Sequence, residues 1–397
     1  MKILHIIDSG GLYGAEMVVL NLVGEHVKMG LRAAIASIGA RGIAEKPFET
    51  EALRRGLTVV KFRMLQGPNA FGMFRVLRHA QKHGFEILHS HGYKGNVALG
   101  PIPRCIRRIP LVSTLHGYTH ARGFSRNHLY EWLDLRVLRT LDAVVLVSRG
   151  MLNNTRLGSL KTVKFHLIQN GIPFPPSPSP IGLNDSPFSL AHEIVNFCGR
   201  GFTVGAIGRL SREKGYDHLI TAVHLLLERG MDVRLVIMGE GEERPSLERL
   251  VDQWRMRDRV LLTGYVQNAR EYLSLFSLFT ISSLTEGLPI TLIEAMAAEL
   301  PVVATRVGGI PEVLQEGRLG TIIPPESPES LVAAILRVCT DPASAREVGR
   351  KAGMEARTLY SSERMAREYL ELYLSVLNPP GEVSRAKIPF LDRACRT

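Results

Sequence analysis

Residues 282–298 read Ser282-Ser-Leu-Thr-Glu-Gly-Leu-Pro-Ile-Thr-Leu-Ile-Glu-Ala-Met-Ala-Ala298 and predict a strand-to-helix junction. Residues 278–282 are mostly apolar or β-branched, which is typical of a short buried strand. Gly287 then marks a tight loop, and Pro289 suits the first position of a helix. We therefore expect a strand, a loop and a helix in succession.

Two glutamates flank the start of this helix. Glu286 lies on the loop after the strand, and Glu294 lies about one turn into the helix. A helix start directs free backbone N–H groups outward and so forms a site for a phosphate group. Carboxylates beside such a site could bind the hydroxyl groups of a phosphorylated ligand. The alternative is an ordinary junction with two solvated glutamates.

The composition is that of a globular protein, with 45% apolar and 22% charged residues. A length of 397 residues predicts two or three domains. No apolar run approaches the roughly 18–20 residues of a spanning helix, and the first eight residues read as a strand, not a signal peptide. The four scattered cysteines are typical of reduced thiols, which favours a cytoplasmic location.

The net charge of +11 is unevenly distributed. Residues 1–180 carry 24 Lys and Arg against 10 Asp and Glu, whereas residues 181–397 carry 25 against 28. This asymmetry indicates that the first half contacts an anionic partner, although a solvated basic surface is the alternative. A nucleic-acid partner is disfavoured, because no nucleic-acid motif or aromatic-interleaved basic tract occurs.

The first half alternates strand-like and helical patterns, which predicts a parallel, doubly wound sheet. The strand-like segments are residues 3–7, 33–38, 58–62, 87–91, 110–115 and 143–147. Ligands bind at the carboxyl ends of such strands. This rule selects the loop at Gly10 and Gly11 and the segments 89–93 and 115–120.

His116 stands at one of these strand ends, directly before a glycine, where an imidazole can reach a bound ligand. Histidines 89, 91, 116 and 120 could instead form a zinc site, but no H-E-x-x-H pattern or partnering cysteine accompanies them. A third possibility is a set of hydrogen-bonded structural histidines.

A second doubly wound sheet is predicted after a linker rich in proline and serine. Its strand-like segments are residues 203–207, 234–238, 260–263, 278–282 and 301–305. The predicted organisation is a first domain at 1–172, the linker at 173–200, a second domain at 201–377 and a basic, poorly ordered tail at 378–397. Arg209 and Lys214 share one strand-to-helix loop and are suited to binding a diphosphate.

Taken together, these motifs resemble the family 4 glycosyltransferases, which are retaining enzymes of the GT-B fold. The resemblance covers nearly the whole chain. It rests on Glu286 and Glu294 in an E-x7-E arrangement, on Gly208-Arg-Leu with Lys214-Gly215, and on Gly239-Glu-Gly241 and Gly308-Gly309. It implies two Rossmann-like domains that face each other across a cleft, with the donor bound mainly by the second domain.

The resemblance also implies roles for individual residues. Glu294 would bind the ribose, Glu286 the donor sugar, and the loop at Val266 would lie beside the base. The catalytic group would comprise His116, Arg209, Lys214 and Glu286. The donor-binding residues would be Gly11, Gly208, Arg209, Lys214, Gly239, Val266, Glu286, Ile290, Thr291, Leu292 and Glu294.

The implied reaction transfers a sugar from a nucleoside diphosphate sugar to an acceptor hydroxyl with retention at the anomeric carbon. The chain has no D-x-D motif, so we expect cations and a helix N-terminus to stabilise the leaving diphosphate without a metal or other cofactor. Two alternatives are a nucleotide-sugar epimerase of the same architecture and a non-catalytic, two-lobed binding protein.

The acceptor is expected to bind the basic first domain. Five arginines are candidates for contact with the acceptor or with an anionic membrane, together with the apolar residues Ile106, Ile109 and Phe124. We therefore expect peripheral attachment to the inner face of the plasma membrane and a lipid-linked or cell-surface glycan acceptor. A soluble acceptor is the alternative. The five arginines are Arg104, Arg107, Arg108, Arg122 and Arg126.

Overall fold

The structure is a computed structural model that describes residues 1–8, 11–65, 69–116, 126–153, 157, 160, 162–174 and 189–378. Two parallel β-sheets flanked by helices make up this part of the chain. Most of the proline-rich segment and residues 379–397 of the predicted tail lie outside the described residues.

The first sheet contains seven parallel strands among the described residues. They are β1 (Lys2–Ile7), β2 (Arg32–Ala40), β3 (Thr58–Met64), β4 (Ile87–Ser90), β5 (Leu111–Leu115), β6 (Ala143–Leu146) and β7 (Phe165–Leu167). Their spatial order is β3-β2-β1-β4-β5-β6-β7, so the direction of winding reverses between β1 and β4. The central strands are apolar runs buried on both faces, as parallel sheets require.

Seven helices of the described residues precede the second sheet. They are α1 (Gly14–Lys28), α2 (Pro47–Arg54), α3 (Ala70–Lys82), α4 (Tyr93–Leu99), α5 (Arg104–Arg107), α6 (Arg126–Val137) and α7 (Leu190–Cys198). Helix α7 lies inside the segment predicted as a linker. Ser189 caps it, and Ala191, Ile194 and Phe197 bury its apolar face.

The second sheet contains six parallel strands in the described part of the chain, in the order β10-β9-β8-β11-β12-β13. The strands are β8 (Phe202–Ile207), β9 (Val233–Met238), β10 (Val260–Gly264), β11 (Leu278–Ile281), β12 (Val302–Thr305) and β13 (Thr321–Ile323). The two sheets confirm the predicted fold class. The edge strands β7 and β13 were not predicted, because each has only three residues and is partly exposed.

The helices around the second sheet include α10, which begins at Ile290 with Pro289 as its N-cap, one residue later than the predicted start at Pro289. They are α8 (Tyr216–Glu228), α9 (Arg244–Gln253), α10 (Ile290–Ala297), α11 (Ile310–Val313), α12 (Pro328–Thr340), α13 (Pro342–Leu359) and α14 (Ser362–Leu377). No described helix combines the length and apolar character that crossing a membrane requires.

Helix α14 returns to the first sheet, although the sequence assigns it to the second domain. The hydroxyl of Tyr373 lies 2.6 Å from Nδ1 of His89, and the hydroxyl of Tyr369 lies 2.7 Å from that of Thr114. All four residues are buried. The last helix therefore holds the two sheets together behind the space between their carboxyl edges. The exact domain boundaries stay a prediction.

Candidate active site

A cleft of about 750 Å³ lies between the carboxyl edges of the two sheets, and residues of both domains line it. Leu292 does not line it, because its side chain is fully buried, and its backbone N–H donates to the carbonyl of Pro289 at 3.2 Å, so neither group is free for the predicted donor contact. Gly11 is adjacent to Leu12, which lines the cleft. The predicted residues that line it are His116, Gly208, Arg209, Lys214, Gly239, Val266, Glu286, Ile290, Thr291 and Glu294.

Lys214 and Glu286 form an ion pair on the wall of the cleft, with 2.6 Å between Nζ and Oε1. The hydroxyl of Ser283 donates a second hydrogen bond to the same carboxylate oxygen at 2.7 Å. Because both ionic side chains are largely shielded from water, the pair holds the ammonium group in one position. An anion that enters the cleft therefore meets an oriented cation.

Arg209 is the more open of the two predicted cations, with 47% of its side chain exposed. Its guanidinium group lies 4.0 Å from the carboxylate of Glu242, beyond hydrogen-bonding distance, and 5.9 Å from the ring centre of Tyr13. Tyr13 belongs to the first domain, so this cation spans the cleft. Its donors can bind a ligand with little competition from the protein.

Glycines 308 and 309 shape the loop that carries Glu286. Gly308 has φ of +54°, and a Cβ atom there would lie 2.0 Å from the carbonyl oxygen of Glu286. The N–H of Gly309 donates to the carbonyl of Gly287 at 2.7 Å. This glycine pair therefore positions the Glu286 loop and the start of α10. Its contribution to the site is through backbone packing.

Glu294 lies on α10 with its carboxyl group at the cleft. Burial raises the pKa of Glu294 to about 7, and Arg270 opposes this shift. The group is therefore partly protonated at neutral pH in the empty cleft. Hydroxyl groups that donate hydrogen bonds to the carboxylate would favour its ionised form and lower its pKa.

His116 is the outer member of a chain of histidines that leads from the cleft into the first sheet. Its Nε2 lies 3.2 Å from Nδ1 of His91, whose Nε2 lies 3.0 Å from Nδ1 of His5. Burial lowers the pKa of His116 to about 4 and the pKa values of His5 and His91 well below their ordinary range. The three imidazoles are therefore neutral near pH 7.

Of the alternative zinc site at histidines 89, 91, 116 and 120, the structure describes the first three. Both ring nitrogens of His89 are engaged, by Thr114 at 2.8 Å and by Tyr373 at 2.6 Å. Histidine 120 lies outside the described residues. Among the described residues, His5, His89 and His91 bring one ring nitrogen each within 4.8 Å of the others. Their hydrogen bonds favour the interpretation as structural histidines.

The arginines predicted to contact a membrane differ in exposure. Arg107 is 1% exposed and bonds to Asp142 and to the carbonyl of Ile109 at 2.8 Å, so it is a buried structural cation and not a membrane contact. Ile109 is buried too, which corrects its predicted role. Arg104 and Arg108 are exposed. The side chains of Arg122, Phe124 and Arg126 lie outside the described residues.

Several residues that line the cleft were not predicted. Asn170 follows β7 and donates from its side chain to the carbonyl of Leu288 at 3.0 Å, which ties the first domain to the α10 loop. Recognition of β7 as a strand would have selected Asn170 by the strand-end rule. The others carry no comparable sequence signal, because helical or loop packing brings them to the cleft. They include Tyr13, Glu51, Arg55 and Arg270.

Two family models match the chain in succession. Residues 13–174 match the model described as Glycosyltransferase Family 4, and residues 201–341 match the model described as Glycosyl transferases group 1. Together these matches span most of the chain and correspond to its two sheets.

Individual relatives match over most of their length. The α-maltose-1-phosphate synthase of Mycolicibacterium smegmatis is 28% identical over 73% of this chain and 79% of its own. The lipopolysaccharide core biosynthesis mannosyltransferase LpcC of Rhizobium leguminosarum bv. viciae is 26% identical over 92% of this chain and 94% of its own. Among solved structures, Anabaena Alr3699/HepE in complex with UDP-glucose has a TM-score of 0.79 at 22% identity, covering 94% of this chain and all of that one. This likeness establishes the GT-B fold.

Proposed function

This chain is a family 4 glycosyltransferase that uses a nucleotide-sugar donor, and we propose that it retains the anomeric configuration and needs no metal ion. The observation that carries this proposal is the grouping of Arg209, Lys214 and the start of α10 on one wall of the cleft. A nucleoside diphosphate leaving group gains negative charge as the glycosidic bond breaks. Preorganised cations and helix amides stabilise that charge in the transition state.

The other cleft residues have complementary roles in this proposal. Glu294 binds the ribose hydroxyls and Val266 lies beside the base. Glu286 orients Lys214 through the 2.6 Å ion pair and faces the donor sugar. His116, held by His91 at 3.2 Å, approaches the transferred sugar from the first domain as a neutral imidazole. UDP or UDP-glucose occupies several structural neighbours, so a UDP-sugar is the first donor to test.

Nucleotide release from a panel of nucleotide-sugars tests the donor proposal. We expect one donor to release its nucleotide slowly to water and faster with a suitable acceptor. Because the protein's own cations stabilise the diphosphate, the rate in EDTA should equal the rate with added Mg²⁺.

The outcomes of this assay separate the alternatives. Conversion of the donor sugar to its epimer without nucleotide release would favour an epimerase. Absence of both release and donor binding would favour a non-catalytic binding protein. Loss of activity in EDTA with recovery in Mg²⁺ would contradict metal independence.

We also propose that the enzyme works at the cytoplasmic face of the plasma membrane on a lipid-linked or cell-surface glycan precursor. Residues 52–130 contain 13 Lys and Arg but only one acidic residue, Glu86. Arg104 and Arg108 are exposed on this segment, with Ile106 beside them at 59% exposure. Each basic residue near an anionic leaflet contributes about 1 kcal/mol to binding, so a few such residues support reversible attachment. The relative LpcC is a mannosyltransferase of lipopolysaccharide core biosynthesis, which agrees with such an acceptor.

Liposome flotation tests the membrane proposal. The protein should float with anionic liposomes at low salt, and less so at high salt, because salt screens the attraction. Arg108→Glu should weaken flotation, whereas Arg229→Glu, an exposed arginine of the second domain, serves as the matched control. Recovery in the soluble fraction under every condition would contradict membrane attachment and leave the donor proposal intact.

A further inference from the structure

A second cavity of about 750 Å³ opens at the carboxyl edge of the first sheet. The ends of β2 and β3 form its floor, while α3, α4 and the segment 101–106 form its walls. Only Asp8, Asn69 and Lys94 contribute polar side chains to the described lining. This cavity, which we term the acceptor-domain groove, is therefore almost wholly apolar and has the size of a small-molecule site.

The groove lies where the sheet changes its direction of winding. Asp8 follows β1, and Lys94 lies on α4 directly after β4, the two strands between which the order reverses. Crevices at such switch points are the usual ligand sites of open parallel sheets. Asp8 in the groove and Leu12 in the cleft between the domains both follow β1, so the two cavities open at the same carboxyl edge of the first sheet. A ligand in the groove can thus extend towards the donor.

The polar end of the groove carries a small ionic cluster. Lys94 pairs with Asp8, whose other carboxylate oxygen lies 3.9 Å from Nζ of the buried Lys46. Lys94 is the cation that lines the groove, and the buried Lys46 behind Asp8 offsets part of the negative charge of that carboxylate. The cluster suits a ligand whose head combines hydroxyl groups with a negative charge.

The opposite mouth of the groove exposes large apolar side chains to solvent. Phe71 is 76% exposed, and Leu65, Phe74 and Ile106 are each about half exposed or more. Four such side chains around one opening form an apolar patch of the kind that marks an interaction surface. Arg75 and Arg78 are exposed on α3 next to Phe71 and Phe74, which adds positive charge to the same surface.

We propose that the acceptor-domain groove binds the hydrocarbon chain of a phosphate-bearing membrane lipid, which presents its acceptor hydroxyl near Asp8 and Lys94. An apolar channel with a cationic end and a basic, apolar mouth is complementary to an anionic amphiphile in both shape and charge. The lipid enters from the bilayer through the mouth at Phe71. This inference rests on the proposed function and specifies the class of its acceptor.

The test measures binding of a fluorescent palmitoyl lysophosphatidate to the full chain, below the concentration at which the probe aggregates. We expect saturable binding that unlabelled lysophosphatidate reverses and glycerol 3-phosphate does not. Ala98→Phe fills the groove and should weaken binding about tenfold or more, because the chain loses its apolar contacts. Met354→Ser, which changes a residue 50% exposed on α13, should leave binding unchanged.

A surface variant keeps the test decisive if Ala98→Phe does not fold. Replacing Phe71 and Phe74 together by serine alters only exposed rings and should also weaken binding of the probe. Unchanged affinity in the folded groove variants, or equal displacement by glycerol 3-phosphate, would overturn the proposal. Tight binding of palmitoyl lysophosphatidylcholine, equal to that of the anionic probe, would overturn its charge component.

Nucleotide release to water, measured on the same samples, separates this inference from the donor proposal. Release needs no lipid, so it should persist in the groove variants. Normal release without lipid binding in the unaltered protein would refute the groove inference alone. Lipid binding without release of any nucleotide would refute the donor proposal alone.

Discussion

Replacement of Lys214 by alanine is expected to lower turnover at saturating donor by about 10²-fold or more, the usual effect of removing one preorganised charge-stabilising group. The variant loses the cation and also leaves the carboxylate of Glu286, which is only 10% exposed, without its 2.6 Å partner. A buried carboxylate that keeps only the hydrogen bond from Ser283 repels an approaching diphosphate, because both groups are anionic. Among the residues that the structure describes, the acidic group paired with Arg209 is Glu242 at 4.0 Å, beyond hydrogen-bonding distance, so Arg209→Ala should have the smaller effect of the two.

The same loop supplies the control for this prediction. Arg212 lies between the two cations but is exposed and does not line the cleft, so Arg212→Ala should retain nearly normal turnover. Circular dichroism and thermal unfolding confirm that each variant is folded. Near-normal turnover of both Arg209→Ala and Lys214→Ala would refute the diphosphate assignment. The double variant Lys214→Ala, Glu286→Gln tests the part played by the carboxylate. If it binds the donor better than Lys214→Ala alone, part of the lost activity is due to the carboxylate that lacks its cation.

The central strands and the strand-end loops are predictable because one physical pattern specifies each of them. A strand buried on both faces is mostly apolar, so β5, β6 and β11 are visible as short runs rich in apolar and β-branched residues. The winding of a parallel sheet then brings its loops to one edge. Arg209, Lys214 and Glu286 consequently meet in the cleft as expected from their positions after strands.

Contacts across the chain could not be predicted in this way. The pairing of Lys214 with Glu286 joins residues 72 positions apart. The histidine chain joins His5 of β1 to His91 and His116, which directly follow β4 and β5, and the neighbour relations of these strands follow from topology, not from local pattern. Likewise, Arg104, Arg107 and Arg108 look alike in the sequence. Only the single turn of α5 determines that Arg107 faces inward to Asp142.

The second large effect is expected on α10, where Glu294→Gln should weaken donor binding and stabilise the empty enzyme at high pH. A carboxylate that accepts hydrogen bonds from ribose hydroxyls contributes about 1.5–3 kcal/mol per bond, so the loss in donor affinity should be at least about tenfold. The pKa of Glu294 is raised to about 7 in the folded protein, from an ordinary value of 4.5. Its burial therefore carries no charge cost at low pH, where the group is protonated, and stability is lost as the pH rises from about 4.5 through 7.

Thermal unfolding at pH 5 and pH 8 measures this second effect. A shift of one pKa unit corresponds to about 1.4 kcal/mol of folding free energy, and water in the open cleft reduces this value. Glu294→Gln should therefore stabilise the folded protein by roughly 2 kcal/mol at pH 8 and by much less at pH 5. The lowered pKa values of the buried histidines give stability a pH dependence of the opposite sign, because the unfolded chain binds protons at these histidines below about pH 6.5 and the folded protein does not. The difference in stability between the variant and the unaltered enzyme is therefore the relevant quantity. A gain in stability at pH 8 with a loss of donor affinity would mean that the charge on Glu294 is maintained for donor binding at the expense of folding. If Glu294→Gln and the unaltered enzyme unfold at the same temperature at pH 5 and also at pH 8, the raised pKa of Glu294 is contradicted. If Glu294→Gln binds the donor with unchanged affinity, Glu294 does not belong to the donor site.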